Sequence, residues 1–231
     1  MSLSFSRPTA LLLIDNQKGL ACDPNTPCHW GTHRSTPSLY TNLHALLTAF
    51  RTAKSKKKPT SNLQIIHVLH SSTSPTSPLH AAANNGTNIQ PLEIVAPAPD
   101  GSEPVFWKNV NSAFVGTTLE SFLRGHGIRQ LVVAGMSTDH CVSSTVRMAA
   151  DLGVLDRYRG NGKRAVVHAD GTQEAVEVEK GRIVVVRDAT AAWAKGRFRA
   201  ETVHAVNLAS LDGEFADILD AEEVLEELGL V

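Results

Sequence analysis

Residues 130–153 read QLVVAGMSTDHCVSSTVRMAADLG, and their pattern decides the fold. The first five, 130–134, form an apolar run too short for a buried helix and without a polar face, which suits a strand buried on both sides of a parallel sheet. Gly135 follows, then a polar turn, Ser137-Thr138-Asp139, then a helical pattern from about His140 to Leu152 that Gly153 closes. Strand, turn and helix in that order make half of a β-α-β unit.

Working outward, the same unit recurs. Further apolar runs lie at 10–14, 63–69, 105–107 and 183–186, with a weaker one at 215–218. Between the first two, Leu39, Leu43, Leu46, Leu47 and Phe50 fall on one helical stripe, and Thr36 before Pro37 supplies an N-cap with proline at the first helical position. Thr117 and Glu120 have capping-box spacing ahead of Leu119, Phe122 and Leu123, and Gly125 and Gly127 stop that helix. A helix over about 199–211 precedes the last strand, and Asp220 with Glu223 marks a final helix carrying Val224, Leu225 and Leu228 before Gly229. Six strands alternating with helices predict a three-layer αβα fold, Rossmann-like, around a mainly parallel six-stranded sheet.

Two stretches break the alternation. Residues 71–104, rich in Ser, Thr, Pro, Asn and Ala, read as a long surface loop. Residues 155–181 read as an insertion holding a small hairpin, 165–168 with 175–178. The run 54–58, with four lysines, reads as solvated charge at a helix C-terminus. At 231 residues the chain fits one generous domain. Its net charge of −1 provides no basic field for nucleic acid, so the expected partner is a small molecule. The apolar stretch at 10–14 is too short for a signal h-region or a membrane span. Three cysteines make a poor disulfide framework, and together these features predict a cytoplasmic protein that binds neither membrane nor nucleic acid.

In an open parallel sheet, ligands bind beyond the carboxyl ends of the strands. Three reactive residues sit there: Asp15 ends the first strand, Lys108 follows the short strand at 105–107, and Cys141 opens the helix after 130–134. Singly, each has an ordinary structural reading: Asp15 as a cap, Lys108 as surface, Cys141 as a small buried hydrophobe. Together they make a nucleophile, a base and an orienting cation. Free N–H groups at a helix N-terminus and a nearby ammonium both favour a thiolate, and a thiol brought to about pKa 6.5 would be mostly ionised at neutral pH.

The segments ALLLIDNQ (10–17), FWKNVNSAFVGTTLESFLRGHGIRQLVVAGMSTDHCVSSTVRMAADLG (106–153), IVVVRDATAAW (183–193) and AVNLASLDGEFADIL (205–219) resemble the isochorismatase-like cysteine hydrolase superfamily, which includes nicotinamidases, N-carbamoylsarcosine amidases and isochorismatases. The resemblance covers most of the chain outside 71–104 and 155–181. It implies Asp15 as base, Lys108 as its cationic partner and Cys141 as nucleophile. It also implies a non-proline cis peptide between Met136 and Ser137 that aims the Ser137 N–H, with that of Cys141, at an oxyanion. Gln17 matches a family glutamine near the site. Trp30, Trp107 and Phe114 are candidate pocket walls, and His70 is expected near the pocket. Family members usually assemble as homo-oligomers.

Departures from the family patterns narrow the chemistry. Isochorismatases place glycine at the nucleophile position, so Cys141 favours a C–N bond cleaved without a cofactor through a thioester acyl-enzyme. Nicotinamidases add an Asp-x-His and a later His that bind metal; the segment HVLHSSTSPTSPLH supplies His67, His70 and His80 but no Asp-x-His, and no metal is expected. Cys22 and Cys28 have a loose metal spacing and read as free thiols. The alternatives are a vinyl-ether hydrolase of the isochorismatase type and a non-catalytic binding or scaffold member of the fold.

Overall fold

The computed structural model describes residues 3–4, 6–21, 29–31, 33–56, 62–159 and 164–230. Cys22 and Cys28, and part of the lysine run at 54–58, lie outside them. Among the described residues there are eight strands: β1 (Thr9–Ile14), β2 (Leu63–His70), β3 (Val105–Lys108), β4 (Gln130–Met136), β5 (Arg157–Tyr158), β6 (Val178–Glu179), β7 (Arg182–Ala191) and β8 (Asp217–Leu219). Six of them form one sheet in the order β3-β2-β1-β4-β7-β8, and every pairing within it is parallel. The helices are α1 (Leu39–Ser55), α2 (Leu119–Gly125), α3 (Ser143–Leu152), α4 (Ala200–Ala209) and α5 (Ala221–Glu227).

Alternation along the strands sorts side chains between two cores. Leu11 and Leu13, Val132 and Ala134, and Val184 and Val186 face α1 and α5. Ala10, Leu12 and Ile14, Leu131 and Val133, and Ile183 and Val185 face α2, α3 and α4. The apolar stripe of α1 is fully buried against the first face. Because the central strands β1 and β4 are buried on both faces, their sequences are almost wholly apolar.

Where local signals misplace an element, a specific contact explains it. Pro37 and Ser38 form a turn closed by the Leu39 N–H donating to Thr36 O, so the N-cap of α1 is Ser38, two residues beyond Thr36. At α2 the N-cap position is Thr118: the Thr117 hydroxyl donates to Ala113 O at 2.5 Å, and Glu120 pairs with Arg124 at 2.9 Å instead of folding back. The capping box marked by Asp220 and Glu223 does form. In the insertion, a tight turn at His168–Thr172 is followed outward by the single bridge Val167 with Gln173 among the described residues; the antiparallel ladder there pairs 157–158 with 178–179, not 165–168 with 175–178.

Candidate active site

Four of the six strands end at one place. Asp15 follows β1 directly, His70 ends β2, Lys108 ends β3, and β4 leads through Ser137 into Thr138–Val142, a turn of π-helix that carries Cys141 into α3. His70 and Lys108 are register partners on neighbouring strands, so their side chains lie side by side. The expectation that Cys141 opens an α-helix is corrected: α3 starts at Ser143, and the nucleophile candidate sits within the wider turn, where both the His140 and Val142 N–H groups bond to Ser137 O at 3.1 Å. The Met136–Ser137 peptide is cis.

The buried Lys108 ammonium sits at the centre of the cluster. It lies 2.7 Å from Asp15 Oδ2, 3.0 Å from His70 Nδ1 and 3.2 Å from Cys141 Sγ. An ammonium has three N–H donors, and here each has an acceptor. Burial, and then the charge of Lys108, lower the His70 pKa; the neutral ring accepts at Nδ1 and keeps its proton on Nε2. Asp15 has φ 51°, a left-handed conformation uncommon for residues other than glycine but tolerated by Asp and Asn. Its Oδ1 is buried and has no hydrogen-bond partner among the described residues.

Burial, reinforced by the negative charge of Asp15, pushes the Cys141 thiol well above its ordinary range; Lys108 pulls it down without reversing the shift. The sequence reading weighed the helix terminus and the ammonium but not desolvation. The site therefore disfavours a free thiolate.

A cavity of about 80 Å³ opens over Cys141, lined also by Asp15, His70, Ser137, His140, Lys195, Asn111, Trp30 and Trp193. Such a volume is well below the roughly 300–1,000 Å³ that holds a drug-sized ligand. Of the expected wall residues, Trp30 and His70 line it. Trp107 does not: alternation along β3 puts it on the face opposite Lys108, and it is 46% exposed. Phe114 does not either; it is buried in the core beneath α2 and α3. Gln17, fully buried, acts on the backbone instead. Its amide nitrogen donates to His70 O at 2.8 Å and Ile89 O at 2.7 Å, and its oxygen accepts from the His70 N–H at 2.8 Å.

His67 and His80 lie away from the cavity. His67 is buried beside Glu103 at 2.9 Å, and His80 Nδ1 accepts the Ala82 N–H at 3.2 Å. Ligand atoms of Asp15, His70 and Cys141 fall within 4.8 Å of one another, but the Lys108 ammonium bonds to all three residues and occupies the position a metal ion would need. Asn111, whose Oδ1 is 3.9 Å from Cys141 Sγ, and the pair His140 and Lys195 were not singled out by the sequence reading. Their one signal was position, polar residues just beyond strand ends.

A parallel αβα sheet with a Cys, Asp and Lys cluster at the carboxyl ends of its strands defines a class of Rossmann-like protein with a built thiol site. The Isochorismatase domain model matches residues 9–223, and the chain belongs to the isochorismatase family, as a hydrolase of that family. It is 31% identical over 223 residues to the uncharacterized isochorismatase family protein YrdC of Bacillus subtilis, covering 94% of this chain and 95% of that one. An isochorismatase-family crystal structure from Chromobacterium violaceum superposes with TM-score 0.72 at 31% identity, covering 100% of this chain and 99% of the other. A ureidoacrylate amidohydrolase, RutB, from an Enterobacter strain matches at 38% identity over 65 residues, 28% of this chain and 27% of its own length. Among the described residues no helix is long and apolar enough to cross a membrane.

Proposed function

We propose that the protein hydrolyses a C–N bond of a small amide through a thioester on Cys141. The observation that carries this reading is the single buried ammonium of Lys108 held between Asp15 Oδ2 and Cys141 Sγ at the floor of an open cavity. The partial similarity to an amidohydrolase supports it.

In this scheme the thiol proton passes to Asp15, whose Oδ1 has no competing donor among the described residues, as Sγ attacks the carbonyl carbon. Coupling the two events avoids a free thiolate in a site that disfavours one. The Ser137 and Cys141 N–H groups would receive the oxyanion, and Lys108 holds the carboxylate in place. Collapse of the tetrahedral intermediate breaks the C–N bond, and the proton held by Asp15 leaves with the amine. Water then attacks the thioester, Asp15 takes its proton, and the acid departs as the thiol is restored.

The test is ammonia release from a panel of small amides by the wild type, Cys141→Ala and Asp15→Asn. Cys141→Ala is expected to abolish turnover. Asp15→Asn, which suits the left-handed backbone at that position, is expected to lower kcat roughly 10²- to 10⁴-fold. Hydrolysis of a vinyl-ether substrate, assayed alongside the amides, that survives Cys141→Ala but not Asp15→Asn would instead indicate vinyl-ether chemistry; a wild type inert on both substrate types would favour a binding role.

A further inference from the structure

The cavity has a second cation, and it differs from the first. Lys195 lines the wall shared with Cys141, and its Nζ lies 3.3 Å from Asp139 Oδ2 and 3.4 Å from His140 Nε2. Lys108 is buried with every donor taken. Lys195 has three donors and two acceptors among the described residues, and its side chain is 40% exposed. His140, on the same wall, is 45% exposed, whereas Asp139 is only 8% exposed and its Oδ1 is held by the Ser137 hydroxyl at 2.5 Å. Asp139 therefore stands behind the two bases. It ties Lys195 to the turn that carries Cys141, while the face presented to the cavity is a cation and an imidazole.

We propose that Lys195, with His140 beside it, recognises a carboxylate on the substrate, so that the substrate class is a small amide carrying one negative charge beyond the scissile bond. Resting on the amide-hydrolase reading, this adds where the rest of the substrate lies. The cavity admits little more than the reacting carboxamide, so the remaining atoms meet the rim where Lys195 is exposed. Asp139 offsets part of the Lys195 charge, which matches a single carboxylate better than a dianion. The interaction is exposed enough to be screened by salt.

The experiment compares alkylation of Cys141 by iodoacetate and by iodoacetamide, an anionic and a neutral reagent of nearly the same shape, followed by peptide mass mapping. It is done at low ionic strength on the wild type, Lys195→Met and Lys180→Met. Lys180 carries the same charge on the insertion, paired with Asp156 at 3.0 Å and 72% exposed. The ratio of iodoacetate to iodoacetamide rates is expected to fall roughly tenfold in Lys195→Met and to stay within twofold in Lys180→Met, with the difference lost in high salt. A ratio unchanged in Lys195→Met, or lowered equally in both variants, overturns the proposal. No turnover is needed for this readout: a Lys195-dependent ratio in a protein that hydrolyses no amide would reject the amidase reading and keep the anion site. The converse, amide turnover with an unchanged ratio, would do the reverse.

Discussion

Gly135 shows how one residue holds the site together. It is the register partner of Ile14, the last residue of β1, and a Cβ built on it would lie 2.0 Å from the Ile14 carbonyl oxygen, with φ at 126°. Only glycine lets β4 approach β1 so closely at the point where the chains leave for Cys141 and Asp15. Gly135→Ala is expected to destabilise the fold by at least ~3 kcal/mol, through overpacking and a disfavoured backbone conformation. Urea denaturation measures this directly, and a loss below about 1 kcal/mol would show that the two strands have room to part. The positive φ of Asp15 is the matching feature on the neighbouring strand. The apolar runs announced the strands, and the positions of Asp15, Lys108 and Cys141 after them were equally plain in the sequence. The desolvation that raises the Cys141 thiol was not, because it depends on what packs above the sulfur.

At the scale of elements, the long segment 71–104 is anchored at two places. After β1 it pairs through main-chain bonds, Leu92 N to Asn16 O at 2.9 Å, Lys18 N to Gln90 O at 2.9 Å and Gly19 N to Asn88 O at 2.8 Å, with Gln17 clamping both ends. Just before β3, Glu103 accepts from Arg51 of α1 at 2.7 and 2.8 Å, from His67 of β2 at 2.9 Å and from the Ala98 N–H at 2.9 Å. Gln17→Ala would strand three buried backbone groups. It is expected to speed amide hydrogen exchange across 71–92 while β4 and β7 keep their protection; exchange unchanged in 71–92 would mean that the main-chain bonds suffice alone. From composition this segment read as a loop, which is correct but incomplete. Partners far apart in sequence make the anchors, and a polar, proline-rich stretch does not advertise them. Trp107 illustrates the same limit: its type suggests a pocket wall, while the face it occupies follows from the register of a four-residue edge strand.

For the whole molecule, buried titratable groups set a direction for stability against pH. His67, His70 and His204 all have pKa values below their ordinary 6.5, chiefly through burial. Below about pH 6.5 the unfolded chain binds protons that the folded chain refuses, so stability falls as the solution is acidified. Burial would raise the Glu103 carboxyl, but hydrogen bonds from Arg51, His67 and Ala98 outweigh it and hold the pKa at about 2 against an ordinary 4.5. Its contribution is complete above about pH 4.5 and is lost as pH falls from there toward 2, on the order of 3 kcal/mol in all. Denaturation midpoints taken from pH 7.5 to 3.5 should therefore fall in two stages, and His67→Gln should flatten the first. A midpoint that holds steady down to pH 5 would contradict the burial of these imidazoles in neutral form.

By itself the sequence determined the layer order, the six parallel strands and the three residues, Asp15, Lys108 and Cys141, that the fold brings together. Those follow from period-two and period-3.6 patterning and from what stands just beyond a strand end, which are local properties of the chain. The tertiary structure decided the rest. It placed His70 and Lys108 side by side through strand register, spent all three Lys108 protons, raised the Cys141 thiol by burying it, sent Gln17 to the backbone and Phe114 to the core, and brought Lys195 from the end of β7 to the cavity wall. Each of these depends on partners tens of residues away, whose distance and exposure no local pattern encodes.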